Sequence, residues 1–134
     1  MKYPYSDSSM EKLGTCDPRL QAVFTRAADF WDIKIIEGHR SVERQKALFL
    51  TGATNIDGVR KKGKHNYSPS RAIDVAPLPL DWRDVQRFYQ FGWAIVGLAH
   101  SMGVMLRWGG DWDADGDTQD QLFNDLVHFE VVDE

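Results

Sequence analysis

Arg71-Ala72-Ile73-Asp74-Val75-Ala76 decides the reading of this chain. Its residues alternate: Ala72, Asp74 and Ala76 share one face of a strand, and Ile73 and Val75 share the other. Pro77 and Pro79 end it. A second alternating run follows near the C-terminus, over residues 127–132, with His128 and Glu130 on one face and Phe129 and Val131 on the other. Residues 33–38 and 104–108 are β-rich and predict two more strands. Three helices are expected around them. Asp17-Pro18 is a helix start, with Leu20, Val23, Phe24, Ala27 and Trp31 at helical spacing. Ser41 caps a second helix that turns Val42, Leu48 and Phe49 inward and stops at Gly52. Asp81 caps the longest, whose stripe is Trp82, Val85, Phe88, Tyr89, Gly92, Trp93, Val96 and Ala99, closed by Gly103. Helices early and strands mostly late predict an α+β fold, a small antiparallel sheet packed against three helices.

The length, 134 residues, fits one domain spanning residues 1–134. Hydrophobic residues make up 43% of the chain and include five Trp and seven Phe, which is core material and excludes a disordered chain. No apolar run approaches the roughly 20 residues that cross a bilayer, so no membrane anchor is expected. The first residues, Met1-Lys2-Tyr3-Pro4-Tyr5, carry no apolar signal core. The single cysteine, Cys16, excludes an internal disulfide framework and a cysteine-based zinc finger.

The net charge of −4 conceals an asymmetry. Residues 1–107 hold all 16 Lys and Arg against 11 acids, whereas residues 108–134 hold nine acids and no Lys or Arg. That acidic segment also carries Trp108, Trp112, Leu122, Phe123, Leu126, Phe129 and Val131. It must therefore fold with its carboxylates close together, and bound cations are the simplest relief. The negative net charge and the lack of a recognition module argue against a nucleic-acid partner.

Asp74 is the informative residue. An ionised carboxylate between Ile73 and Val75 is costly on a buried face without a partner. Either that face is solvated, or Asp74 pairs with an Arg, or it is a metal ligand. His65, nine residues earlier at the tip of a long loop over residues 53–70, and His128, on another strand, supply two imidazoles. Two imidazoles and one carboxylate suit zinc (Zn2+) with a fourth position open. Asp125, three residues before His128, is equally readable as a general base beside the metal or as a turn cap. His39 and His100 read as structural or surface residues.

Lys64-His65-Asn66-Tyr67-Ser68-Pro69-Ser70-Arg71-Ala72-Ile73-Asp74 resembles the first zinc motif of the VanY-like metallopeptidases. That family includes D-Ala-D-Ala carboxypeptidases and the L-alanyl-D-glutamate endopeptidases used as phage endolysins. Asp125-Leu126-Val127-His128-Phe129-Glu130 resembles the second motif, Glu37-Gly38-His39-Arg40-Ser41 the segment carrying the family's active-site arginine, and Arg107-Trp108-Gly109-Gly110-Asp111-Trp112 a stretch typical of phage members. The chain departs from the commoner spacing: eight residues rather than six separate His65 from Asp74, and Ser68-Pro69-Ser70 stands where a Gly is usual.

The resemblance implies zinc held by His65, Asp74 and His128, with Asp125 as general base. Arg40 would stabilise the oxyanion or hold a substrate carboxylate, the alternative being a surface salt bridge. It implies a peptidoglycan stem peptide as substrate, cut between L-Ala and D-Glu by a monomeric endolysin. A D-Ala-D-Ala carboxypeptidase and a non-catalytic cell-wall or calcium-binding module are the alternatives. The basic run Arg60-Lys61-Lys62-Gly63-Lys64 would attract an anionic substrate, or is simply a solvated loop. Such an enzyme is expected to be made in the host cytoplasm and to reach the wall by a holin-like route. Asp111, Asp113, Asp115 and Asp117 follow the alternating pattern of a calcium (Ca2+) loop, with Asp120 as a substitute ligand. Leu122 stands where an EF-hand would carry its closing Glu, so the segment is not an EF-hand, and an Asp-rich turn is the alternative.

Overall fold

The structure is a computed structural model, and it describes residues 2–51, 63–111 and 125–133. The element order is α1 (Asp7–Leu13), α2 (Pro18–Ala27), β1 (Ile33–Glu37), α3 (Val42–Leu50), a 3-10 turn (Lys64–Asn66), β2 (Ala72–Pro77), α4 (Val85–Ser101), β3 (Leu106–Gly109) and β4 (Asp125–Val131). The four strands form one antiparallel sheet in the order β1-β2-β4-β3. The expected α+β class and antiparallel sheet are therefore present, with the two alternating runs, β2 and β4, side by side at its centre.

The alternation sorts the sheet into two chemically different faces. Ile73, Val75, Phe129 and Val131 are buried in the core together with Leu106 and Trp108. Phe129 is its hub: it meets Phe24 of α2 edge-on at 5.8 Å, Phe91 of α4 edge-on at 6.1 Å, and stacks on Trp108 at 6.3 Å between ring centroids. The opposite face carries Asp74, His128 and Glu130.

Two helices differ from expectation. No helix is expected before Asp17, yet α1 forms there, with the Ser6 hydroxyl accepting from the Ser9 N–H as N-cap and Leu13 buried. Among the described residues there are therefore four α-helices, not three. The longest helix begins later than expected. Asp84, not Asp81, is its N-cap, accepting from the Arg87 N–H, while Asp81 caps a preceding turn through the Arg83 N–H. Its buried face is Phe88, Phe91, Gly92, Ile95 and Ala99. Trp82, Val85 and Trp93 of the expected stripe are exposed; Trp82 instead stacks on Phe88 at 5.5 Å. Asp17 and Pro18 open α2 as expected, the carboxylate accepting from the Arg19 N–H, and the Ser41 hydroxyl accepts from the Arg44 N–H in the first turn of α3. The expected stop at Gly52 lies outside the described residues. Gly103 follows α4 with a positive φ of 77°, as its stop requires.

Gly92 is where α4 meets the sheet. A Cβ at this position would run into the six-membered ring of Trp108, which is 1% exposed and has nowhere to retreat. Gly92→Ala would gain up to about 1 kcal/mol of helix propensity but force an overpacked core. The net expectation is a loss of about 1–3 kcal/mol, read as a lower denaturant midpoint at unchanged m-value.

Candidate active site

The polar sheet face is assembled by strand register. Asp74 pairs with His128 across β2 and β4, so their side chains emerge together. His65 arrives from the 3-10 turn. Its loop is closed by Arg71 N–H donating to the Lys64 carbonyl at 3.0 Å, and by a parallel bridge between Ser70 and Cys16. The eight-residue spacing therefore still returns His65 to Asp74. The extra turn residues are held against the segment after α1, through Ser70 N–H to the Thr15 carbonyl and Asp17 N–H to the Ser70 carbonyl, each 2.8 Å.

The three residues converge. His65 Nε2 lies 3.1 Å, and His128 Nδ1 3.2 Å, from the same oxygen, Asp74 Oδ1. One ligand atom from each lies within 4.8 Å of the others, and all three residues are buried. The rings of the two histidines meet edge-on at 5.2 Å. The face is thus not solvated. Asp74 is also near an arginine, Arg40, whose Nη2 lies 3.5 Å from Oδ2. Burial alone would raise the Asp74 pKa; hydrogen bonds with His128 and His65 outweigh it and hold the carboxyl well below its usual range. Burial would likewise depress His128, but its bonds to Asp74 and Glu130 prevail and push it up to about 9.

The donor set fits zinc. The His65 Nδ1–H is positioned to donate to the Gly38 carbonyl at 2.7 Å, which leaves Nε2, the ring atom beside Asp74 Oδ1, to bind an ion. Two ligands at about 2.0–2.1 Å on a tetrahedral ion lie roughly 3.3 Å apart, close to both spacings at Asp74 Oδ1. An outer carbonyl or carboxylate on each imidazole is the usual company of a metal-ligating histidine.

Arg40 is no surface salt bridge. Its side chain is 12% exposed, and it donates to Glu37 Oε2 at 2.7 Å and Gln45 Oε1 at 2.9 Å. Its buried Nε has no hydrogen-bond partner among the described residues. Glu37 in turn binds Arg44 at 2.7 Å, so one carboxylate anchors both arginines.

Asp125 opens β4, half-buried, opposite Gly109 at a shift of register between Trp108 and Gly109. A side chain at Gly109 would collide with the Asp125 backbone, so this close approach needs glycine. The indole N–H of Trp108 donates to the Leu126 carbonyl at 2.9 Å and fixes the strand start from the other side. Burial raises the Asp125 pKa and the charge of Asp74 adds to it; His128, His65 and Arg40 act in the opposite direction. Those neighbours place Asp125 in the electrostatic field of the cluster.

The remaining residues separate. His39 Nδ1 lies 2.9 Å from the Tyr67 carbonyl, an exposed tie between the end of β1 and the turn, and His100 is exposed in the last turn of α4. Asp111 is buried and its N–H donates to the Trp108 carbonyl at 2.9 Å. Asp113, Asp115, Asp117 and Asp120, the rest of the expected calcium loop, lie outside the described residues, as do Arg60, Lys61 and Lys62 of the basic run. Sequence reading gave no role to Glu130. The signal was there: it shares a strand face with His128, two residues away.

Residues 1–132 match the model of a family described as phage L-alanyl-D-glutamate peptidase. The chain is 32% identical to the L-alanyl-D-glutamate peptidase of Escherichia phage T5, over 98% of this chain and the whole of that one. Among solved structures it is similar to the L-Ala D-Glu endopeptidase ChiX of Serratia marcescens, with a TM-score of 0.75 and 23% identity over 98% of this chain and 92% of that one. With the motifs, their spacing in space and a match over nearly every residue in agreement, the chain belongs to the phage L-alanyl-D-glutamate peptidase family.

Proposed function

We propose that this protein is a zinc-dependent peptidoglycan endopeptidase that hydrolyses the L-Ala–D-Glu bond of the stem peptide, acting as a phage-type endolysin. The observation that carries the chemistry is the convergence of His65 Nε2 and His128 Nδ1 on Asp74 Oδ1. Family membership supports the substrate. His65, Asp74 and His128 would hold the ion, and zinc there would supply Lewis-acid polarisation of the scissile carbonyl. Asp125 accepts a proton from the attacking water on its carboxylate and passes it to the leaving amine. Arg40 steadies Asp74 from the far side, and its guanidinium is the cation that would stabilise the oxyanion or hold a substrate carboxylate. No helix among the described residues is long and apolar enough to cross a membrane. Synthesis in the host cytoplasm and passage through a holin-like route complete the reading.

Digestion of purified sacculi tests it. The expected product carries a new N-terminal D-Glu, and its formation stops on chelation and resumes when zinc is restored. Released D-Ala instead would identify a carboxypeptidase. Intact sacculi at full zinc loading would leave a wall-binding module.

A further inference from the structure

The polar sheet face continues past the three ligands. His128 Nε2 lies 2.9 Å from Glu130 Oε1, and Glu130 Oε2 accepts from Arg107 Nη2, also at 2.9 Å. The register explains the line: Arg107 on β3 is directly opposite Glu130, and Ala72 on β2 flanks it from the other side with a side chain too small to compete for the space. The Glu130 side chain is 6% exposed and that of Arg107 44%, so the row runs from the buried centre out to solvent. A buried carboxylate needs partners, and both of its oxygens have one.

We propose that Glu130, held by Arg107, is a positioning residue for the metal: it takes the proton of His128 Nε2 as a hydrogen bond, so that the Nδ1 lone pair is presented to the ion. The imidazole could otherwise rotate about its Cβ–Cγ bond or carry its proton on Nδ1, and either change would remove the third ligand. His65 is fixed in the same manner by a neutral carbonyl, that of Gly38. His128 is fixed by a charged group, which also raises the basicity of the imidazole as a ligand. Arg107 keeps that carboxylate from turning towards solvent and offsets its charge. The proposal rests on the zinc reading given above.

The test is zinc affinity, measured by competition with a chromophoric chelator on the full chain, together with the thermal midpoint of the metal-free protein. Outer partners of this kind contribute about 10–100-fold to metal affinity. Glu130→Ala is therefore expected to weaken zinc binding by that factor. Glu130→Gln retains an acceptor for Nε2–H and should recover most of the loss. Arg107→Ala leaves Glu130 in place but untethered and should fall between parent and Glu130→Ala; it serves alone if Glu130→Ala does not fold. In the zinc-loaded parent, nitrogen-15 spectra should place the His128 proton on Nε2.

A general structural role would lower the metal-free midpoint of both Glu130 variants while leaving zinc affinity unchanged. That result, or a proton on Nδ1, overturns the brace. His65→Ala separates the two readings. If the parent binds zinc, His65→Ala does not, and Glu130→Ala and Arg107→Ala bind as the parent does, the brace alone fails. If the parent binds no zinc, both readings fail.

Discussion

Asp125→Asn is expected to lower the rate of stem-peptide hydrolysis by about 10²–10⁴-fold, the usual contribution of a positioned general base. The substitution preserves the size and planarity of the side chain and removes only the ability to accept the proton. Asp125 is not among the three converging ligands, so zinc affinity should remain close to that of the parent. The position of its backbone, set by Gly109 and by the Trp108 indole bond to Leu126, is independent of the carboxylate. Turnover of sacculi and zinc titration, measured on the same preparation, check both halves. Undiminished turnover would mean that the proton is taken elsewhere.

Asp74→Ala is expected to abolish zinc capture and activity together and to destabilise even the metal-free protein. Asp74 Oδ1 is shared by both histidines, and Oδ2 faces Arg40. Its removal leaves cationic groups in a buried place without their common anion, a loss of about 3–5 kcal/mol for such pairs. The lower end applies here, because His128 can shed its proton and Arg40 keeps Glu37. For a domain of this size about 3 kcal/mol is a fall in midpoint on the order of 10 °C. Thermal unfolding in the presence of chelator measures it. An unchanged midpoint would show that the cluster is held by the backbone alone.

The centre of this fold was legible because β2 and β4 alternate. An apolar face and a polar face with period two fix which side chains meet, and once Ile73 and Phe129 are inside, Asp74 and His128 are on the other side together. His65 was legible through its distance in sequence from Asp74, although the path of its loop was not: the anchoring of Ser70 on residues 15–17 is a tertiary contact with no local signature. The start of α4 is masked in the sequence because Trp82 and Val85 continue an apolar rhythm that the backbone does not follow, Trp82 packing on Phe88 from outside. Phe91 and Ile95 are inward, Phe91 meeting Trp31 edge-on, while Trp93 stays at the surface with its ring against the edge of Trp108. The short α1 offers only a Ser cap and one buried Leu, too little for periodicity to register. Glu130 was visible as a face-mate of His128, but its link to Arg107 depends on strand pairing, which residue patterns do not supply.

That same α1 does more than extend the helical layer. β1 lies at the border of the sheet, where main-chain groups lack a neighbouring strand. The Ser9 hydroxyl accepts from the outward Ile35 N–H at 3.1 Å, so a helix side chain occupies a site at which another polypeptide would otherwise add. Shortening the chain to begin beyond Leu13 would bare that border, and the resulting molecules would tend to join edge to edge and aggregate.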